Sequence, residues 1–176
     1  MKKYIGLVLV AMSGCILTVN AQQSFSYKNP LLPTELRVND LLGRMTLEEK
    51  IAQIRHLHSW DVFDGQILNQ EKLDKMCGGI GYGFFEGFPL TAASCRKTFR
   101  EIQTYMVEKT RLGIPGFPVA ESLHGVVHEG TTIYPQNIAM GSTFNPELAY
   151  EKTKHIAGEL NTMGVKQVLA PCIDVV

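Results

Sequence analysis

The chain has 176 residues, with 17 basic and 17 acidic side chains and no formal net charge. With no basic run, that balance gives no footing to nucleic acid or an anionic surface as partner; a neutral ligand fits it better.

At the start, Met1-Lys2-Lys3 is cationic and an apolar run from Tyr4 to about Val19 follows, before Val19-Asn20-Ala21 offers a signal-peptidase cut. Residues 1–21 therefore read as a secretory signal peptide, which implies a periplasmic or secreted protein. Cys15 after Ser13-Gly14 also admits a lipoprotein, but Met12 stands where leucine is usual. The apolar run is shorter than the roughly 20 residues of a spanning helix, and no later run is apolar enough, so no membrane span is expected. Residues 22–176 are long enough for one domain with a real core. They hold Cys77, Cys95 and Cys172, an odd number without Cys-x-x-Cys spacing, read as small buried hydrophobes.

Thr34 caps a predicted helix through Leu42. Thr46-Leu47-Glu48-Glu49 has capping-box form and opens a second helix to about His56. A loop with the sole tryptophan, Trp60, precedes a weaker helix from Asn69 to Met76 that ends at Gly78-Gly79. Ile80, Tyr82 and Phe84 alternate with Gly81 and Gly83, which predicts a strand that another backbone or a ligand approaches closely. From Thr91 to Thr110, Cys95, Phe99, Ile102 and Met106 form one buried stripe on a helix. Gly113 and Pro115 end it, and Phe117 to Ala120 reads as a second strand. Asn145-Pro146 starts another helix, with Ala149, Ile156, Leu160 and Met163 as its buried stripe, and a third strand runs from Val165 to about Cys172. Strands alternating with helices imply parallel pairing and an α/β fold, which three strands leave open between a doubly wound sheet and a barrel.

One connection is long. Glu121 to Phe144 spans 24 residues, where about 2 to 6 are usual. Long loops after parallel strands are where α/β proteins place their sites, and this one opens with Glu121-Ser122-Leu123-His124-Gly125. Glu121 is thus a candidate site residue, or a carboxylate favoured by a short helix start at Ser122. His124, His128 and Glu129 lack the zinc order His-Glu-x-x-His, and His56 and His58 near a helix end do not turn readily to one metal. No metal or other cofactor is expected. There is no Gly-x-Ser-x-Gly elbow, and Gly78-Gly79-Ile80-Gly81 lacks the lysine of a phosphate loop. Trp60, Phe84 and Phe85 are either sugar-stacking rings or core.

Leu42-Gly43-Arg44-Met45-Thr46-Leu47-Glu48-Glu49-Lys50 resembles the opening of glycoside hydrolase family 3 catalytic domains. Gly113-Ile114-Pro115 leading to Glu121-Ser122-Leu123-His124-Gly125, then Thr132-Ile133-Tyr134-Pro135-Gln136 and Leu169-Ala170-Pro171-Cys172-Ile173-Asp174-Val175, resemble later segments of the same family in the same order. The resemblance implies the N-terminal portion of a TIM-type (β/α)8 barrel, truncated after about three strands, since a full barrel takes about 250 residues. It implies a retaining, exo-acting β-glycosidase for β-glucosides or β-xylosides, whose two reacting carboxylates lie about 5 Å apart. Neither the nucleophile nor the acid has a matching position here, so no catalytic residue is assigned and the chain alone is expected to be inactive. Glu121 does match: it corresponds to the acidic residue that accepts hydrogen bonds from sugar hydroxyls at the non-reducing end. Its extra methylene over aspartate hints at xylosides without excluding glucosides. His124 is read as holding the loop. A stand-alone carbohydrate-binding or scaffold protein is the alternative.

Overall fold

In a computed structural model the structure describes residues 26–87 and 91–172, so the signal-peptide reading, Cys15 and Asp174-Val175 lie outside the described residues. The chain divides into two units, residues 1–43 and 44–176. In the first, a 3-10 turn at Ser26–Lys28 precedes α1 (Thr34–Arg44). The Tyr27 amide donates to Asp40 Oδ2 and Arg37 Nε donates to the Tyr27 carbonyl, which ties the turn to the helix.

The second unit begins with α2 (Leu47–Gln53), capped as its sequence foretells: the Thr46 hydroxyl accepts from the Glu49 amide, and Glu49 reaches back to the Thr46 amide. Next come β1 (His56–His58), α3 (Ser59–Val62), a hairpin of β2 (Phe63–Asp64) and β3 (Ile67–Leu68), and α4 (Gln70–Cys77). Then follow β4 (Phe84–Glu86), α5 (Ala92–Lys109), β5 (Phe117–Glu121), α6 (Asn137–Gly141), α7 (Pro146–Met163) and β6 (Gln167–Leu169).

Four strands, not three, stand side by side in the order β1-β4-β5-β6, all parallel. Each new strand joins on the same side of the last, as a closing barrel requires; a doubly wound sheet would reverse direction at a switch point. Within the described residues β6 ends the sheet, with Val168 and Leu169 part-exposed.

Two sequence expectations are corrected here. The second helix stops at Gln53, and His56–His58, expected at its end, is a strand. The strand expected from Ile80 begins only at Phe84, because Gly79 and Gly81 adopt positive φ and turn the chain first. The close approach foreseen for that segment is real. A Cβ on Gly83 would lie 1.9 Å from the Gln53 carbonyl oxygen, and the Gly83 amide donates to the Ala52 carbonyl.

Alternation sets the two faces of the sheet. Leu57 and Phe85, in register, are fully buried and pack in the core cluster with Phe99, Ile102 and Met106 of α5 and Leu160 and Met163 of α7. The Phe85 and Phe99 rings meet edge to face at 5.6 Å. On the other face the in-register residues His56, Phe84 and Phe117 stack in a row, at 5.0 Å and 5.9 Å between ring centres. That face is the interior of the barrel to which such a sheet belongs, and Phe117 is correspondingly exposed on it. Cys77 and Cys95 lie in the core, where burial pushes their thiols up to about 12 and about 11. Cys172 is exposed, contrary to the expectation for all three.

The motif glutamate Glu49 is buried, and Arg111, two residues beyond the end of α5, pairs with it: Nε donates to Oε1 at 2.8 Å. Arg111 also donates to the Arg44 carbonyl. The Arg111 guanidinium holds the Glu49 carboxyl below the usual glutamate range, against the opposing effect of burial. Because the folded value is depressed, the stabilisation is complete above the ordinary glutamate value of about 4.3 and is lost as pH falls through the lower folded value. Glu49→Gln should therefore cost about 2 kcal/mol in denaturant unfolding at about pH 7, with the gap to wild type narrowing in acid. A gap that stays constant with pH would contradict the ion-pair account.

Candidate functional site

Three strands deliver polar or aromatic groups to their carboxyl-terminal tips. β1 ends in His58, β4 in Glu86 and β5 in Glu121. His56 and His58 sit two apart on one strand and so share a face; Glu86, in register with His58, places its two oxygens 3.1 Å from His56 Nδ1 and 3.2 Å from His58 Nδ1. Sequence reasoning treated these histidines as lying at a helix end. Two same-face imidazoles needed a strand, and three residues with Leu57 as the one apolar member give too short an alternation to reveal it.

A cavity of about 370 Å³ opens at these tips, lined by His58, Trp60, Glu86, Gly87, Glu121 and His128 among others. A larger hollow of about 1000 Å³ lies away from the tips, between the start of α5 and α7. The smaller one is the better site on topological grounds, since ligands of parallel α/β sheets gather at the carboxyl ends of the strands. Glu121 is exposed there, and among the described residues no side chain pairs with its carboxylate. A carboxylate held at a cavity wall without a protein partner is equipped to accept hydrogen bonds from hydroxyls.

The long loop after Glu121 is tied down along its length. His124 Nδ1 lies 3.0 Å from the Tyr134 carbonyl oxygen, and the Tyr134 amide donates to the His124 carbonyl at 2.8 Å. Between them Gly125 has φ +108°, and a Cβ there would stand 2.3 Å from the Thr132 carbonyl oxygen, so only glycine lets the two halves of the loop close up. Two side chains of α7 grip the returning half. Glu159 accepts from the Thr132 amide and hydroxyl, and the buried Lys152 donates to the Pro135 carbonyl at 3.1 Å and to Asn137 Oδ1 at 2.9 Å. Lys152 was missed from sequence, although it falls on the stripe of Ile156, Leu160 and Met163 and a cation on a buried stripe signals a polar partner. Among the described residues no group of three or more His, Cys, Asp and Glu side chains is placed to hold a metal ion.

Lys152→Met keeps the bulk of the side chain and leaves the two acceptors without their donor. Hydrogen exchange at the Tyr134 amide should then speed up about tenfold, corresponding to a local loss of about 1.4 kcal/mol. Unchanged exchange at Tyr134 would show that Lys152 does not hold the loop.

Comparison with known proteins agrees with this geometry. Residues 46–176 match the family model described as the glycosyl hydrolase family 3 N terminal domain. A protein named for β-xylosidase activity from Formosa agariphila is 31% identical over 159 residues, which is 88% of this chain and 21% of that protein. A periplasmic beta-glucosidase of Salmonella typhimurium is 27% identical over 175 residues, 98% of this chain and 21% of its own length. A solved β-glucosidase structure from Erythrobacter marinus superposes with a TM-score of 0.71 at 27% identity, covering 88% of this chain and 20% of that one. The chain thus spans about a fifth of the length of these relatives.

Proposed function

Since this chain belongs to the family of the glycosyl hydrolase family 3 N-terminal domain, we propose that it supplies one wall of the sugar subsite of an exported, retaining, exo-acting β-glycosidase. The reaction is hydrolysis of the O-glycosyl bond at the non-reducing end of β-glucosides or β-xylosides. The observation that carries the proposal is the Glu121 carboxylate at the tip of a central parallel strand, facing a cavity of sugar size in a chain of this family.

Glu121 acts by binding. Its two oxygens accept from vicinal hydroxyls of the terminal sugar and fix the ring so that the scissile bond lies between the two reacting carboxylates, which the family resemblance locates outside the matched positions of this chain. The longer arm of glutamate favours a xyloside, whose ring lacks the hydroxymethyl group. The similarity of this chain to one relative named for β-xylosidase and another named as a β-glucosidase supports both substrate classes. Residues 1–21 act as the signal peptide that exports the protein to the periplasm or beyond, and residues 22–176 form part of the catalytic barrel, inactive by themselves.

The test uses protein expressed from the complete reading frame, assayed with aryl β-xyloside and aryl β-glucoside. Glu121→Ala should lower kcat/KM at least about 100-fold, because a charged acceptor for the substrate is lost and its hydroxyls are left without a partner. A variant as active as wild type on both glycosides would refute the role of Glu121, and a wild type inert towards both would refute the glycosidase reading.

A further inference from the structure

Trp60 is 68% exposed, yet it is held in place. It stands two residues beyond the tip of β1, in α3, where the preceding Ser59 hydroxyl donates to the Gly87 carbonyl and so ties α3 to the end of β4. The His58 imidazole lies under the indole at 4.3 Å between ring centres and only 7° from parallel. Glu86 approaches that imidazole from β4. Gly87, just beyond β4, lies beside the ring edge, where a Cβ would be in ordinary contact with Trp60 Cζ3 at 3.4 Å. One face of the indole is thus occupied and its position set, while the residue lines the same cavity as Glu121.

A large aromatic ring kept open to water at a cavity rim, with its other face supported, is equipped to receive a flat apolar surface. A β-linked glucopyranose or xylopyranose offers one, because its hydroxyls are all equatorial and its axial C–H bonds cover both ring faces. The hydroxyls at the ring's edge remain available to an acceptor in the plane of the sugar. Trp60 comes from the tip of β1 and Glu121 from the tip of β5, with β4 between them. The two therefore line one cavity from different strands, an indole chemically suited to the face of a sugar and a carboxylate suited to its hydroxyls.

We infer that the open face of Trp60 is the stacking platform for the pyranose whose hydroxyls Glu121 accepts, with His58 and Glu86 as the residues that position the indole. The inference rests on the glycosidase reading. It makes β1 part of the substrate site and predicts selection for pyranosides with an uninterrupted C–H face, β-xylosides and β-glucosides, over those with an axial hydroxyl, such as β-galactosides.

The experiment again uses protein from the complete reading frame. Trp60→Leu, which keeps apolar bulk over His58 but removes the π face, should raise KM for aryl β-xyloside about tenfold or more with a smaller change in kcat, and Trp60→Phe should recover most of the loss. Thermal melting of each variant reports its folding. A folded Trp60→Leu protein with wild-type KM overturns the inference and leaves the glycosidase reading intact. Absence of turnover by the wild type overturns both. A second readout does not depend on the leucine variant folding: the emission difference between wild type and Trp60→Phe isolates the indole at position 60. Saturating methyl β-xyloside should shift that emission and shield it from acrylamide, and an unchanged difference spectrum overturns the inference.

Discussion

Parallel register at β5 is the constraint on which the site depends. This strand pairs with β4 on one side and β6 on the other, with Phe84 opposite Phe117 and Glu121 opposite Leu169. Side chains alternate along it, so Phe117, Val119 and Glu121 share the face turned away from the helices. A slip of one residue would turn Glu121 towards the helical layer and bring Ala120 to the interior, and the carboxylate would lose its cavity. Ala120 packs against the core cluster on the helical side, so the same slip would put a carboxylate in its place there and is disfavoured.

The residues that make the sequence recognisable divide between framework and site. Thr46 and Glu49 close a helix start, and Glu49 with Arg111 fastens that start to the end of α5. His124 and Gly125 close the loop after β5, with Lys152 and Glu159 of α7 clamping its return. Within the motif of Glu121, His124 and Gly125 are fastened into the loop while the Glu121 carboxylate lines the cavity at the strand tips. Charge placed by a rigid surround and left without a protein partner is the arrangement expected of a binding residue.

Long helices were legible because their determinants are local. The stripe of α5 and the Asn145-Pro146 start of α7 are fixed by spacing and capping alone, and the structure places them as read. Short elements were not. β1 has three residues, two of them histidine, and its identity as a strand comes from the neighbouring β4 rather than from its own pattern. The Ile80–Phe84 alternation was real, but glycines at positive φ turned the chain there and moved the strand to Phe84. Sheet order lies wholly in tertiary pairing, so barrel and doubly wound topologies separated only once four strands were seen side by side. Of the site, Glu121 could be found from the length of its loop and the motif around it, whereas the grouping of His58, Trp60 and Glu86 beside it depends on β1 and β4 being neighbours.

The central claim is that Glu121 accepts hydrogen bonds from the hydroxyls of a terminal β-linked sugar. Its most direct measurement is a crystal structure of the protein expressed from its complete reading frame with xylose or glucose bound. The account predicts both Glu121 carboxylate oxygens within about 2.5–3.0 Å of two adjacent sugar hydroxyls at the tips of the parallel strands. A sugar bound at those tips with Glu121 turned away from it, or bound elsewhere on the chain, would contradict it.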